Sequence, residues 1–256
     1  MITGKFPSLR LRRTRKYTWS RKLIQENSLS SSDLVYPIFL IEGKNNKQPI
    51  KSMPNVYRYT VDKLGSLVTN VIKNKIPMVA LFPSTPRAKK DKYGNESLNE
   101  NNLVCRATRY IKNKFKNEIG IMCDVALDPY TIHGHDGLLK NNYVLNDETV
   151  EVLVKQSLLQ AEMGCDVIAP SDMMDGRIGK IRKFLDKNNY HDVQLLSYAV
   201  KYASNFYGPF RDAVGSKKFL IGDKKNYQMD FANSNESLRE VALDIKEGAD
   251  MVMVKP

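Results

Sequence analysis

Ile119-Gly-Ile-Met-Cys-Asp-Val125 is a near-continuous apolar run of the kind that suits a strand buried on both faces. A helix-period stretch near 147–163 follows it, and then a second apolar run, Asp166-Val-Ile-Ala169. Strand, helix and strand in that order are the unit of an α/β fold. The alternation repeats in both directions. Leu34-Val-Tyr-Pro-Ile-Phe-Leu40, Met78-Val-Ala-Leu-Phe82, Val193-Gln-Leu-Leu-Ser-Tyr198 and Met251-Val-Met-Val254 read as strands, and 61–74, 98–116, 175–188 and 235–247 as helices. The last helix has Ser234 or Asn235 for an N-cap and Gly248 for its stop. A weaker strand over Lys225–Met229 brings the strand count to seven. The pattern predicts an α/β chain of the (β/α)8 TIM-barrel type that lacks its eighth strand and final helices, with a basic extended arm over 1–30 and the catalytic barrel over 31–256.

The composition allows this and removes other classes. A chain of 256 residues with 42% hydrophobic side chains can bury one sizeable core. No apolar run approaches the roughly 18–20 residues of a membrane helix. The three cysteines, Cys105, Cys123 and Cys165, are too few and too scattered for a disulfide framework, which points to a reducing, cytoplasmic setting. Of the 40 basic residues, eight fall within 1–25, where there is no acid. That arm could be a transit peptide or a nucleic-acid arm. Because the formal charge of +12 is concentrated there and the body is close to balanced, a solvated or subunit-embracing arm is the favoured reading, with no nucleic acid and no membrane as partner. Arg87–Asn102 is a polar loop suited to covering a site.

The chemistry concentrates in Ser197-Tyr-Ala-Val-Lys-Tyr-Ala-Ser-Asn-Phe-Tyr-Gly-Pro-Phe-Arg-Asp212, which puts Lys201 just beyond an apolar strand. Lys255 follows the strand Met251–Val254 in the same relation. In a barrel, strand ends of this sense carry the catalytic groups. Two ammonium groups in one desolvated pocket repel, so at least one gives up its proton readily, and a neutral amine can attack a ketone. A single reactive lysine would also serve an aldolase-type lyase, and a non-catalytic interaction protein using the basic arm is a third reading.

Tyr198-Ala-Val-Lys-Tyr-Ala-Ser204, Phe206-Tyr-Gly-Pro-Phe-Arg-Asp-Ala213 and Met251-Val-Met-Val-Lys-Pro256 resemble signature segments of the 5-aminolevulinate dehydratase (porphobilinogen synthase) family. The resemblance continues through Asp124–Gly137, Val167–Arg177 and Gly222–Asp230, in the family's order and over nearly the whole chain. It implies a lyase of heme and porphyrin biosynthesis that condenses two 5-aminolevulinate molecules through lysine Schiff bases. Lys255 would hold the propionate-side substrate and Lys201 the acetate-side one, with Asp124 and Ser171 assisting proton transfer or orientation. Arg211 and Lys224 would bind substrate carboxylates, with Gln228 as a neutral neighbour and Tyr207 and Phe210 as an aromatic wall. Some relatives carry arginine in place of Lys224, and lysine brings a point charge without the planar fork.

Zinc-dependent relatives place three cysteines where this chain has Ala126, Asp128 and Asp136, so no zinc is expected. His133 and His135, two apart, lack further soft ligands. Asp128 and Asp136 are hard oxygen donors, suited to magnesium or a monovalent ion in the active-site loop. The resemblance also implies an allosteric magnesium at Glu240 and an N-terminal arm that builds a homo-octamer. Family members continue beyond the Lys-Pro step with groups that hold one substrate carboxylate, from which the 256-residue chain is expected to be inactive or poorly folded and a longer product competent.

Overall fold

The six apolar runs become six parallel strands whose two faces pack against different layers. The computed structural model describes residues 4–215 and 220–256. Its first half holds α1 (Thr18–Leu23), β1 (Val35–Leu40), β2 (Lys47–Pro49), β3 (Tyr57–Tyr59), α2 (Leu64–Lys73), β4 (Met78–Pro83), α3 (Leu103–Phe115) and β5 (Gly120–Val125). There follow β6 (Leu139–Lys140), β7 (Tyr143–Val144), α4 (Asn146–Glu162), β8 (Val167–Pro170), α5 (Arg177–Lys187), β9 (Gln194–Lys201), α6 (Gly208–Ala213), α7 (Ser234–Glu247) and β10 (Met251–Lys255). The main sheet has the order β10-β9-β8-β5-β4-β1-β3-β2, and β6 pairs with β7 in a separate hairpin. Strands β1, β4, β5, β8, β9 and β10 are parallel neighbours in chain order. Parallel neighbours need crossovers, and α2, α3, α4, α5 and α7 supply them.

Side chains alternate across each strand. Ile38, Leu40, Val79, Leu81, Ile121, Cys123, Ile168 and Leu195 pack outward with helix residues such as Leu64, Val68, Ile111, Leu153 and Ile178. Phe39, Ala80, Phe82, Met122, Val167, Ala169, Leu196 and Tyr198 form a second, inner cluster. Burying each large aliphatic side chain is worth about 1.5–3 kcal/mol, so the outer layer supplies most of the stability. The inner layer, at one end, supplies the site.

Four expectations are corrected. Lys225–Met229 is not a strand: only Met229 bridges to Tyr202, so six of the seven long strands expected are present among the described residues. The short β2 and β3 beside β1 make the main sheet eight-stranded. The last helix starts at Ser234 with Asn233 as the N-cap residue, and the Asn233 side chain reaches Glu236 rather than the backbone. Its stop at Gly248 is as read, in the left-handed region at φ +109. The helix placed over 98–116 begins only at Leu103, because Asn102 caps it by accepting from Cys105 N at 2.9 Å.

The loop Arg87–Asn102 packs on residues 127–133 through Asp91 N to Tyr130 O (3.2 Å) and Ile132 N to Asp91 O (3.0 Å). Among the described residues, no helix is long and apolar enough to cross a membrane.

Candidate active site

Each inner strand column ends in a polar or aromatic group at its C-terminal end: Phe82 on β4, Asp124 on β5, Ser171 just beyond β8, Lys201 on β9 and Lys255 on β10. They line one cavity of about 30 Å³ with Asp128, Tyr198, Tyr207, Phe210, Arg211, Lys224 and Gln228. An apolar cleft of about 410 Å³ adjoins it and shares Phe82, Tyr198, Tyr207, Phe210 and Lys255. The proposed catalytic and substrate-binding residues therefore converge. Asp136 stands in contact with them, and Glu240 lies elsewhere. Helix α4 steadies the end of β5: Gln160 Nε2 donates to Asp124 O at 3.0 Å.

The convergence of the two lysines depends on an irregularity in β9. Met251 pairs with Leu196 and Val252 with Ser197, but Lys255 pairs with Lys201, so Tyr198 and Ala199 stand opposite Met253 alone. This is a β-bulge. Leu196 and Tyr198 face inward, and regular alternation would turn Lys201 outward; the extra residue turns it into the cavity beside Lys255.

The two amines have opposite surroundings. Lys255 Nζ lies 4.9 Å from the Phe210 ring, 5.5 Å from Tyr198 and 5.8 Å from Tyr207, with no carboxylate at ion-pair distance among the described residues. Burial, with repulsion from Lys201, brings its pKa below that of an ordinary lysine, although Asp124 partly opposes this. Lys201 Nζ donates to Ser171 O and lies 3.4 Å from Asp136 Oδ2. Burial disfavours its charge, but Asp136, Asp128, Asp124 and Asp172 outweigh that and raise its pKa. Lys255 is thus the readier nucleophile. Burial pushes the Asp124 carboxyl above its ordinary range, against a hydrogen bond from Ser171 and the charge of Lys201.

Lys224 is not free. Its Nζ lies 2.6 Å from Asp136 Oδ1 and 3.9 Å from Asp128 Oδ2. Burial raises Asp128 to about 7, whereas at Asp136 the ammonium groups of Lys201 and Lys224 overcome burial and hold the carboxyl at about 2. Arg211 has no carboxylate at ion-pair distance among the described residues, and Gln228 Oε1 has no hydrogen-bond partner among them. Both can receive a ligand. His135 Nε2 meets Ile221 O at 2.7 Å and its Nδ1 meets Tyr227 OH at 3.2 Å, so its ring nitrogens are engaged within the protein. His133 Nε2 meets Lys92 O at 3.3 Å. Cys123 is fully buried, which drives its thiol far above the usual range.

Glu240 lies in a different, polar pocket of about 370 Å³, with Asp175, Asp230 and Glu236. Its neighbour is Arg177, at 3.5 Å. Burial raises the Glu240 carboxyl, with Arg177 opposing. Arg177 is fully buried, 3.5 Å from Asp172 and from Asp244 and 3.1 Å from Ser197 Oγ.

Sequence reading missed Arg177, Tyr198 and Phe82 as contributors. Phe82 could have been found, since it ends its strand as Asp124 ends the next. Arg177 could not, because an arginine at the start of an amphipathic helix looks solvated.

The chain matches the family described as delta-aminolevulinic acid dehydratase over residues 8–256. It is 58% identical over 249 residues to the delta-aminolevulinic acid dehydratase of Bradyrhizobium diazoefficiens, covering 97% of this chain and 70% of that one. It is 48% identical to the Rhodobacter capsulatus protein of the same name, covering 100% of this chain and 77% of the other. Among solved structures, the Toxoplasma gondii delta-aminolevulinic acid dehydratase in complex with the reaction product porphobilinogen superposes with a TM-score of 0.92 at 43% identity, covering 97% of this chain and 70% of that one.

Proposed function

This chain belongs to the delta-aminolevulinic acid dehydratase family, and from that premise we propose that it joins two 5-aminolevulinate molecules into porphobilinogen, with loss of water, through imines on Lys255 and Lys201. The observation that carries the reading is the pairing of these two lysines at one register, one desolvated among aromatic rings and one held by carboxylates. The neutral amine of Lys255 attacks a substrate ketone, the ketone oxygen takes up protons and leaves as water, and a C=N bond replaces C=O. The imine draws electrons from the neighbouring carbon, so a C–H proton there can be removed and a carbon–carbon bond formed. Asp124, hydrogen-bonded by Ser171, supplies or accepts protons beside Lys201 and Lys255.

Arg211 receives a substrate carboxylate, Gln228 accepts from a substrate N–H, and Tyr207 and Phe210 exclude water from Lys255. The test is mass spectrometry after incubation with 5-aminolevulinate and sodium borohydride, which reduces an imine to a stable amine. Adducts are expected on both lysines, and on Lys255 at a lower pH than on an exposed lysine, following its lowered pKa. Labelling of neither lysine in a folded protein would reject the reading, and labelling of only one would favour an aldolase-type lyase.

A magnesium ion at Glu240 is part of the proposal. Glu240 faces an open polar pocket that Asp175, Asp230 and Glu236 also line without forming, among the described residues, a set of three ligands, so an ion there would be held by Glu240 and keep most of its water. Bound there, it would supply positive charge to the carboxyl that Arg177 now faces. A magnesium-dependent rise in melting temperature that persists in Glu240→Gln would exclude this site. The arm supports assembly with further copies, as in an octamer: Leu11, Trp19, Leu23 and Leu29 are each more than 60% exposed. Sedimentation velocity reads the stoichiometry. The buried thiols Cys105, Cys123 and Cys165 are consistent with a reducing cytoplasm.

A further inference from the structure

The ammonium of Lys224 occupies the place that an ion shared by Asp128 and Asp136 would take, 2.6 Å from one carboxylate and 3.9 Å from the other. The second oxygen of Asp136 faces Lys201 at 3.4 Å, so both its oxygens are turned toward ammonium groups. All four residues are at most 9% exposed. Lys224 also has a built seat. Its carbonyl accepts from Tyr227 N and Gln228 N at 3.2 and 2.9 Å, and the segment is tied down by Ile221 N to His133 O at 3.2 Å and by the His135–Tyr227 contact. A divalent ion entering between the aspartates would lie against two ammonium groups at short range, a repulsion that the carboxylates already spend their charge in cancelling. The aspartate pair therefore does not fit a resident ion, against the expectation from donor hardness alone.

We propose that Lys224 is itself the resident cation of this loop. The chain supplies on a tethered side chain the charge that an ion would otherwise bring, and that ammonium fixes Asp136 against Lys201. Lys224 is in this sense a positioning residue for Lys201 as well as a carboxylate ligand. The inference uses the dehydratase reading only for its bearing on turnover, since the occupancy of the loop can be measured without substrate.

The experiment is Mn2+ uptake by the whole chain, stripped of metal and carrying Glu240→Gln to silence the other acidic pocket, read from the loss of the free-ion electron paramagnetic resonance signal. The Lys224-containing protein is expected to take up no Mn2+ at the loop. Lys224→Ala should bind a single equivalent at least about tenfold more tightly, two carboxylates and waters being an adequate shell once the ammonium is gone. Adding Asp136→Asn should abolish that uptake, and Lys224→Arg, which keeps the charge, should show none. Uptake by the Lys224 protein that Asp136→Asn removes would overturn the proposal, whatever the folding of the alanine variant. So would the absence of uptake in both Lys224→Ala and Lys224→Gln when circular dichroism shows either to be folded. Loss of borohydride labelling with this Mn2+ pattern intact would reject the dehydratase reading and leave the loop assignment standing.

Discussion

Lys255→Met is expected to remove the borohydride adduct at that position and to lower porphobilinogen formation by at least about four orders of magnitude, the usual scale for loss of a covalent nucleophile. Its effect on stability should be the opposite of what loss of a buried charge normally brings. Among the described residues Lys255 has no carboxylate partner, and it sits among Tyr198, Tyr207 and Phe210, where burial already disfavours its charged form. Methionine has nearly the same length and packs well against rings. The melting temperature should therefore stay or rise. Lys201→Met makes the contrast, because it withdraws one of the two ammonium groups that hold Asp136 ionised and so should lower the melting temperature. If Lys255→Met unfolds the protein while Lys201→Met does not, the account of the two environments is wrong.

Arg177→Met is expected to cost about 3–5 kcal/mol of stability, measured by denaturant unfolding, because it strands buried carboxylates without their cation. Asp172 and Arg177 are fully buried, and Asp244 is 2% exposed. Burial lifts Asp172 to about 6 from 3.8 even with Arg177 opposing. Between those values the folded state binds more protons than the unfolded chain, so this group's contribution to stability falls as pH rises through the window. Removing Arg177 extends the window upward. The cost of the substitution should thus be larger at neutral pH than near pH 5, and a cost that does not change with pH would show that Asp172 is not the group responsible.

The strands were legible because six apolar runs with inward residues at fixed parity are a strong local signal. Asp124, Ser171, Lys201 and Lys255 were legible as strand-end groups in segments that resemble one family. What escaped the sequence depends on long-range partners. The strands β2 and β3 are three residues each and mostly polar, so they exist only because β1 offers an edge. Lys225–Met229 has strand-like character, but its only strand-type pairing is the bridge at Met229. The ion pair of Lys224 with Asp136 joins residues 88 positions apart, and no local pattern announces it. Arg177 becomes a buried hub only when α5, α7 and β9 close around it.

The bulge opposite Met253 makes the site more sensitive to length than to identity. A strand is a two-state counter, and the extra residue between Tyr198 and Lys201 sets its parity. Deleting Ala199 would only remove the bulge, leaving Met253 opposite Tyr198 and Lys201 still opposite Lys255, whereas deleting Met253 would by regular alternation turn Lys255 to the helix side of the sheet, where Ser197 now meets Arg177. A gap of one residue in β10 of a related sequence would therefore mark loss of the two-lysine chemistry more surely than most substitutions around the cavity, whereas a gap at Ala199 would not.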